Sequence, residues 1–253
     1  MKVSLIRQLN EINARFYQQT AAAFSQTRGF YWQGWKDLLP IIKPLTKEKN
    51  QFKVLDVGCG NARFAEFLFR NKVHKNLVYH GLDNSQDLLE FAEKKLAKLK
   101  FEQEFIVTDL VESLLDGSFE EKLPHKKYHL TTLFGVLHHI PSRKLRRELV
   151  VSLGNSLTSG GFLVFTAWKF LNEARLEKKQ IHPSVVEIDP EDLEVNDYIL
   201  DWQKQVTAYR YCHFTDDQEM EELIVDSGLE LVEQYNADGK SGNLNHYVVL
   251  KKP

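Results

Sequence analysis

The stretch Val54-Leu55-Asp56-Val57-Gly58-Cys59-Gly60-Asn61 constrains the fold of this chain more than any other. Val54, Leu55 and Val57 read as a short buried strand. Gly58 and Gly60 then allow a tight turn and let backbone N–H groups approach a ligand closely. Ala62 to Leu68 repeats apolar positions at helical spacing. Strand, glycine turn and helix in that order open a doubly wound α/β sheet, with a nucleotide-type ligand at the carboxyl ends of its strands. A dinucleotide fingerprint would place a third glycine three residues after Gly60, where this chain has Arg63. Asp56, two residues before the first glycine, is a poor neighbour for a pyrophosphate. It suits a ligand that carries an ammonium group, such as S-adenosylmethionine.

The remaining pattern repeats that unit. Strands are expected at Leu77–Leu82 and Phe105–Val107, and each ends on an acid, Asp83 and Asp109. Asp83 is placed to accept hydrogen bonds from ribose hydroxyls, and Asp109 to accept an adenine amino group. Asn84 and Ser85 are candidate caps for a helix that runs to about Leu99. Glu112–Lys127 reads as a polar crossover, and Tyr128–Phe134 as the fourth strand. Gly135-Val136-Leu137-His138-His139 follows it, which places both histidines near the reacting centre of such a sheet. Ser142 is the expected cap of a helix whose Arg143, Lys144, Arg146 and Arg147 form a basic face, either solvated or in contact with phosphates. Leu157–Gly161 reads as a helix stop before a fifth strand, Phe162–Ala167.

Outside that core, residues 4–23 form a helical lead-in with one apolar stripe, and Pro40 and Pro44 end a second helix. Residues 1–50 are expected to act as lead-in and lid, and 51–253 as the ligand-binding domain. Between about 168 and 213 the βα register breaks. This insert is rich in aromatics and carries Arg210, Tyr211 and His213, which suits it to substrate recognition. Thr215-Asp216-Asp217-Gln218 reads as a capping box, Gly228 as a helix stop, and Leu229–Tyr235 with Asn245–Leu250 as a closing antiparallel pair. A net charge of −2 gives no whole-chain polyanion signal, so any nucleic-acid surface must be local. Cys59 and Cys212 supply neither a disulfide framework nor zinc-ligand spacing, so no metal is expected. No apolar run has the length of a membrane span, and a cytoplasmic setting fits.

Asp56-Val57-Gly58-Cys59-Gly60, with Asp83, Asp109 and the terminal strand pair, resembles the class I S-adenosylmethionine-dependent methyltransferases. The resemblance implies a Rossmann-like, doubly wound sheet of seven mostly parallel strands with one antiparallel strand. By position it puts Asp56, Gly58, Gly60 and the Phe134 backbone around the methionine moiety. It puts Asp83 on the ribose, and Asp109 and Leu110 on the adenine. Arg63 and Asn84 complete the candidate cofactor set. A narrower resemblance is carried by Phe24-Ser25-Gln26-Thr27-Arg28, Trp32, Gly60–Phe64, Val136–His139 and Tyr209–Phe214. These residues are similar to the tRNA wobble-uridine carboxymethyl methyltransferases, which esterify a 5-carboxymethyl group at the first anticodon position. Ala62, where that family usually has glycine, and residues 169–197 depart from its pattern. Eukaryotic members work with a small activator protein, which makes such a protein a candidate partner beside the expected tRNA.

A carboxylate nucleophile needs orientation rather than a general base. Arg28 and Arg210 are the candidate groups for gripping it, and His138 or His139 for orienting the acceptor. Trp32, Tyr211 and His213 are the candidate substrate contacts. Two competing readings share the cofactor residues: a small-molecule O- or C-methyltransferase, and a non-catalytic cofactor-binding partner subunit.

Overall fold

The computed structural model describes residues 1–27, 30–47, 49–124, 127–203 and 207–253, with the backbone alone for 21–27. Two helices, α1 (Val3–Thr27) and α2 (Gln33–Ile42), precede β1 (Phe52–Val57). The chain continues through α3 (Arg63–Arg70), β2 (Leu77–Asp83), α4 (Gln86–Leu96), β3 (Glu102–Val107), α5 (Leu110–Leu115), β4 (Tyr128–Leu133), α6 (Arg143–Asn155) and β5 (Leu157–Trp168). These five strands are parallel, and with β9 (Glu230–Ala237) and β10 (Asn245–Lys251) they form a seven-stranded sheet in the order β3-β2-β1-β4-β5-β10-β9. After α8 (Asp217–Asp226), the chain closes with β9 and β10, and β10 is antiparallel to both its neighbours. The order reverses between β1 and β4, where Asp56 stands opposite Thr132. A ligand crevice forms at such a switch point, outside the carboxyl ends of the strands.

Both faces of the sheet are covered, which is why its strands are nearly continuous in apolar residues. Leu55, Val57 and Leu133 pack with Leu114, Leu149, Leu153 and Leu223 from α5, α6 and α8. Val54, Tyr79 and Leu130 pack with Trp35, Leu38, Phe64, Leu68 and Leu96 from α2, α3 and α4. Each fully buried leucine contributes roughly 2 kcal/mol of transfer free energy.

The insert folds as α7 (Ala174–Glu177) and a separate antiparallel sheet of β6 (Gln180–Ile181), β7 (Asp197–Gln203) and β8 (Thr207–His213). One face, with Ile199 and Tyr211, packs on Leu5 and Leu9 of α1, and Leu200 and Cys212 on the other pack with Phe170 and Leu176. A buried ionic cluster fastens the insert to the core. His213 bonds Asp197 through Nδ1 at 2.8 Å and Glu219 through Nε2 at 2.5 Å, and Arg146 reaches Glu219 at 2.7 Å and Glu194 at 3.5 Å.

Several local expectations are corrected. Pro40 lies inside α2, and Pro44 opens the 3-10 turn that follows. The helix α5 runs into the polar crossover, because Leu110 and Val111 just before it and Leu114 and Phe119 among its charges are buried. Asp109 caps α5 by accepting from the Glu112 N–H at 3.0 Å. Leu157–Gly161 begins β5 rather than ending a helix, with Gly160 in the left-handed region at φ +73°. Ser142 makes no side-chain cap, whereas Ser85 does. At the last helix the cap is Asp216 rather than Thr215, accepting from the Glu219 N–H, and Gln218 donates to Glu222 instead of completing a capping box.

Candidate active site

The glycine turn is pinned to the neighbouring strand. Gly58 and Cys59 donate their N–H groups to the Leu82 carbonyl at 2.7 and 2.9 Å, and Gly60 donates to Asp83 Oδ2 at 2.8 Å. Gly58 and Gly60 have φ of +70° and +55°. A Cβ on Gly58 would lie 2.1 Å from Val136, while a Cβ on Gly60 would point into open space. The turn borders a cleft at the switch point, lined by Asp56, Gly58, Gly60, Arg63, Asp83, Asn84, Asp109, Leu110 and Phe134. All the sequence-derived cofactor candidates therefore meet in one cavity, together with Trp32 and His139.

The donor set fits a nucleoside joined to an amino acid. Asp56 is 3% exposed and accepts from Tyr79 Oη at 2.6 Å and Thr132 Oγ1 at 2.7 Å. Burial raises its pKa to about 6 despite those two hydrogen bonds. Arg63 lies on the same wall, 5.8 Å from the Trp32 ring centre and 5.5 Å from that of Trp35, and burial lowers its pKa to about 10. An acid and a cation on one wall complement the ammonium and carboxylate of a methionine moiety. Asp83 holds the Gly60 and Ser85 N–H groups, one on each carboxylate oxygen, and burial raises its pKa against those bonds. Its remaining lone pairs suit ribose hydroxyls.

The sequence reading missed three residues of this cavity. Asn10, Asn13 and Tyr17 line it from one face of α1. Asn10 donates to Asp109 Oδ2 at 2.8 Å, and Asn13 bridges the Tyr211 N–H at 2.9 Å and the His139 carbonyl at 3.3 Å. The spacing i, i+3, i+7 was readable, but it lay in the shadow of the apolar stripe on the same helix.

Other candidates are displaced. Tyr211 is fully buried and donates its hydroxyl to Asp197 at 2.7 Å, so it stacks on no substrate. His213 is 2% exposed and spends both ring nitrogens on Asp197 and Glu219, so it is a structural clasp rather than a substrate contact. Burial opposes its charge, but the two carboxylates outweigh burial and raise its pKa. The basic helix face is neutralised: Arg143 pairs with Glu222, Lys144 with Glu148, Arg147 with Asp226, and Arg146 is buried on Glu219. His138 is buried against Trp168 and His139, with ring centres 5.0 and 4.1 Å away, and does not line the cavity. Arg28 lies outside the described residues.

Arg210 also lies off the cavity wall, 6% exposed, with its guanidinium 4.6 Å from the Trp168 ring centre and 5.2 Å from that of Phe16. Donor atoms of His138, His139 and Cys212 approach within 4.8 Å of one another. However, His139 is hydrogen-bonded through both nitrogens, and burial pushes the Cys212 thiol up to about 12. The group is therefore ill prepared to bind a cation.

Residues 55–163 match the family model of a methyltransferase domain. An Encephalitozoon cuniculi chain named for methyltransferase activity is 26% identical over 220 residues, 87% of each chain. A Clostridium acetobutylicum S-adenosylmethionine-dependent methyltransferase superposes with a TM-score of 0.63 at 14% identity, covering 94% of this chain and 97% of that one. The Bradyrhizobium japonicum N-methyltransferase NodS, solved with S-adenosylhomocysteine, gives a TM-score of 0.51 at 14% identity, covering 86% and 87%.

Proposed function

We propose that this chain, a class I S-adenosylmethionine-dependent methyltransferase, methylates a carboxylate, and that this carboxylate belongs to a 5-carboxymethyl-type uridine at the wobble position of tRNA. The observation that carries the proposal is Arg210. Among the described residues this buried guanidinium has no carboxylate partner, and its Nε has no hydrogen-bond acceptor. A buried cation without an anion is costly, and a planar fork matches a carboxylate bidentately. The two rings at the Arg210 guanidinium are Phe16, the chain neighbour of the cavity-lining Tyr17, and Trp168, which packs on His138, the chain neighbour of the cavity-lining His139.

Asp56 and Arg63 would hold the amino-acid end of the cofactor, Asp83 its ribose, and Asp109 with Leu110 its base. When bound, S-adenosylmethionine would supply a sulfonium methyl to the acceptor carboxylate oxygen and leave as a neutral thioether, a transfer to an ionised acceptor that asks no proton of the protein. Arg210 orients the acceptor, and the apolar walls of Trp32, Trp35 and Phe134 exclude water. The tRNA assignment draws on the signature at 24–28 and on Tyr209–Phe214, which includes Arg210.

The test is incubation with labelled cofactor and tRNA bearing 5-carboxymethyluridine, followed by mass analysis of nucleosides. The expected product is an alkali-labile methyl ester at the wobble uridine. Arg210→Ala should lower kcat/KM about 100-fold or more while S-adenosylhomocysteine affinity stays within about twofold. Label appearing only in a metabolite would overturn the tRNA assignment, and an alkali-stable product would overturn the carboxylate.

A further inference from the structure

The indole of Trp35 carries a buried donor that the fold leaves unanswered. Trp35, Leu38 and Ile42 fall at helical spacing on the buried face of α2, which accounts for three large apolar side chains there. Packing does not account for the nitrogen. Trp35 is 3% exposed, and its Nε1 is buried without a hydrogen-bond partner. A buried indole N–H ordinarily finds one, and a phenylalanine would fill a core without creating the demand. The rings around Trp35 are Trp32 at 5.2 Å, Phe64 at 5.3 Å, and Phe67 and Phe134 at 5.8 Å between centres. None of them offers a lone pair. Trp35 also borders the cofactor cleft.

Its place in the cleft identifies the missing acceptor. The Arg63 guanidinium lies 5.5 Å from the Trp35 ring centre, donates to the Phe30 carbonyl at 2.9 Å and makes no ion pair among the described residues. The carboxylates whose charge reaches Arg63 are Asp238 and Asp56. Both are hydrogen-bonded elsewhere, Asp238 to the Gly34 N–H, Asn245 and Tyr247, and Asp56 to Tyr79 and Thr132. A neutral donor and a cation on one wall, neither bonded to a carboxylate of the chain, complement an anion that a ligand brings. We propose that Trp35 is a cofactor-binding residue whose indole N–H donates to the α-carboxylate of S-adenosylmethionine, alongside Arg63. The inference rests on the methyltransferase reading of the cleft and deepens it. Arg63 supplies charge, and the indole supplies a donor whose direction is fixed by a packed ring. Such a site rejects an analogue without the carboxylate, because the buried donor is again left unpaired.

The experiment compares S-adenosylhomocysteine with the analogue that lacks only its α-carboxylate, using the full-length wild type and Trp35→Phe. Calorimetric titration should show Trp35→Phe weakening S-adenosylhomocysteine about tenfold or more, and the analogue no more than about twofold. In wild-type protein isotopically labelled at its indole nitrogens, the Trp35 N–H resonance should move downfield with S-adenosylhomocysteine and hold its place with the analogue. That spectrum tests the inference even where the variant fails to fold. Equal weakening of both ligands in Trp35→Phe, or a resonance that responds alike to both, reduces Trp35 to packing and overturns the assignment. A resonance that ignores S-adenosylhomocysteine and moves only when RNA bearing 5-carboxymethyluridine is added gives the donor to the acceptor's carboxylate and also overturns it. These outcomes leave the tRNA and carboxylate readings standing. Absence of S-adenosylhomocysteine binding to the wild type overturns the cofactor reading of the cleft, and the role of Trp35 with it.

Discussion

Cofactor affinity should be tied to the protonation of Asp56. The carboxylate is buried, and its pKa in the free protein is raised to about 6. Binding a ligand ammonium requires the ionised form. From that value, Asp56 is about 97% ionised at pH 7.5 and about 9% at pH 5. The dissociation constant should therefore rise about tenfold between those two pH values, which corresponds to about 1.4 kcal/mol. Near pH 6 the free protein is half protonated, so binding should release about half a proton. Calorimetric titration with S-adenosylhomocysteine in buffers of different ionisation enthalpy measures both quantities without turnover. Asp56→Asn should weaken binding at pH 7.5 and remove most of the slope, with Asp83, whose pKa is also raised, supplying the remainder. The same raised value acts on folding with the opposite sign. Asp56 binds its proton more tightly in the fold than in the unfolded chain, so its stabilising contribution is complete below pH 3.8 and is lost as pH rises through about 6. A dissociation constant that is flat from pH 7.5 to 5, or an Asp56→Asn variant that keeps the wild-type slope, would refute the reasoning.

The ionic cluster under the insert should respond to pH in both directions. Glu219 is held at about 2 against the opposing effect of burial, so its contribution is present above pH 4.5 and lost as pH falls toward 2; that of His213 is present below pH 6.5 and lost as pH rises through its raised value. Denaturant midpoints should therefore peak between those limits, and Glu219→Gln should cost roughly 3 kcal/mol and flatten the profile, because it removes the carboxylate that Arg146 and His213 share and leaves each with one partner, Glu194 and Asp197. Gly58→Ala combines a φ of +70° with a 2.1 Å approach to Val136 and should raise the cofactor dissociation constant at least about tenfold. Gly160→Ala, at φ +73° in open space, should cost about 1 kcal/mol of stability and leave affinity alone. Arg143→Ala with Arg147→Ala should leave the acceptor KM within about twofold, since Glu222 and Asp226 already neutralise those arginines; a larger loss would return the helix face to the RNA interface.

What the sequence made legible was local. The strand at Val54–Val57, its glycine turn, and the acids closing β1 and β2, with Asp109 two residues past β3, follow from periodicity and turn chemistry, and all of them reach the cleft. The crossover was opaque because its charges outnumber the apolar residues that α5 and the turn after it bury. Gly160 and Gly161 imitate a helix stop, and only the pairing of β5 with β4 and β10 shows that they sit in a strand.

The misplacement in the insert had a physical remedy within the sequence itself. Arg210, Tyr211 and His213 were grouped as one site because they are close along the chain. In a β-strand, successive side chains point to opposite faces. Once Thr207–His213 is a strand, Arg210 and Cys212 must share one face and Tyr211 and His213 the other. The structure follows that rule. Tyr211 packs on α1, and its hydroxyl and His213 meet on Asp197, while Arg210 stands over Trp168 and Cys212 packs with Phe170. The odd face therefore anchors the insert and the even face carries the cation. The two jobs are linked, because the clasp that His213 makes with Asp197 and Glu219 holds the end of the strand that carries Arg210. Weakening the clasp should impair the acceptor site before it impairs the cofactor site. His213→Asn should raise the acceptor KM while the S-adenosylhomocysteine dissociation constant holds. Equal losses at both sites would show that the insert and the cofactor cleft fold as one unit, and would remove the basis for assigning separate roles to the two faces.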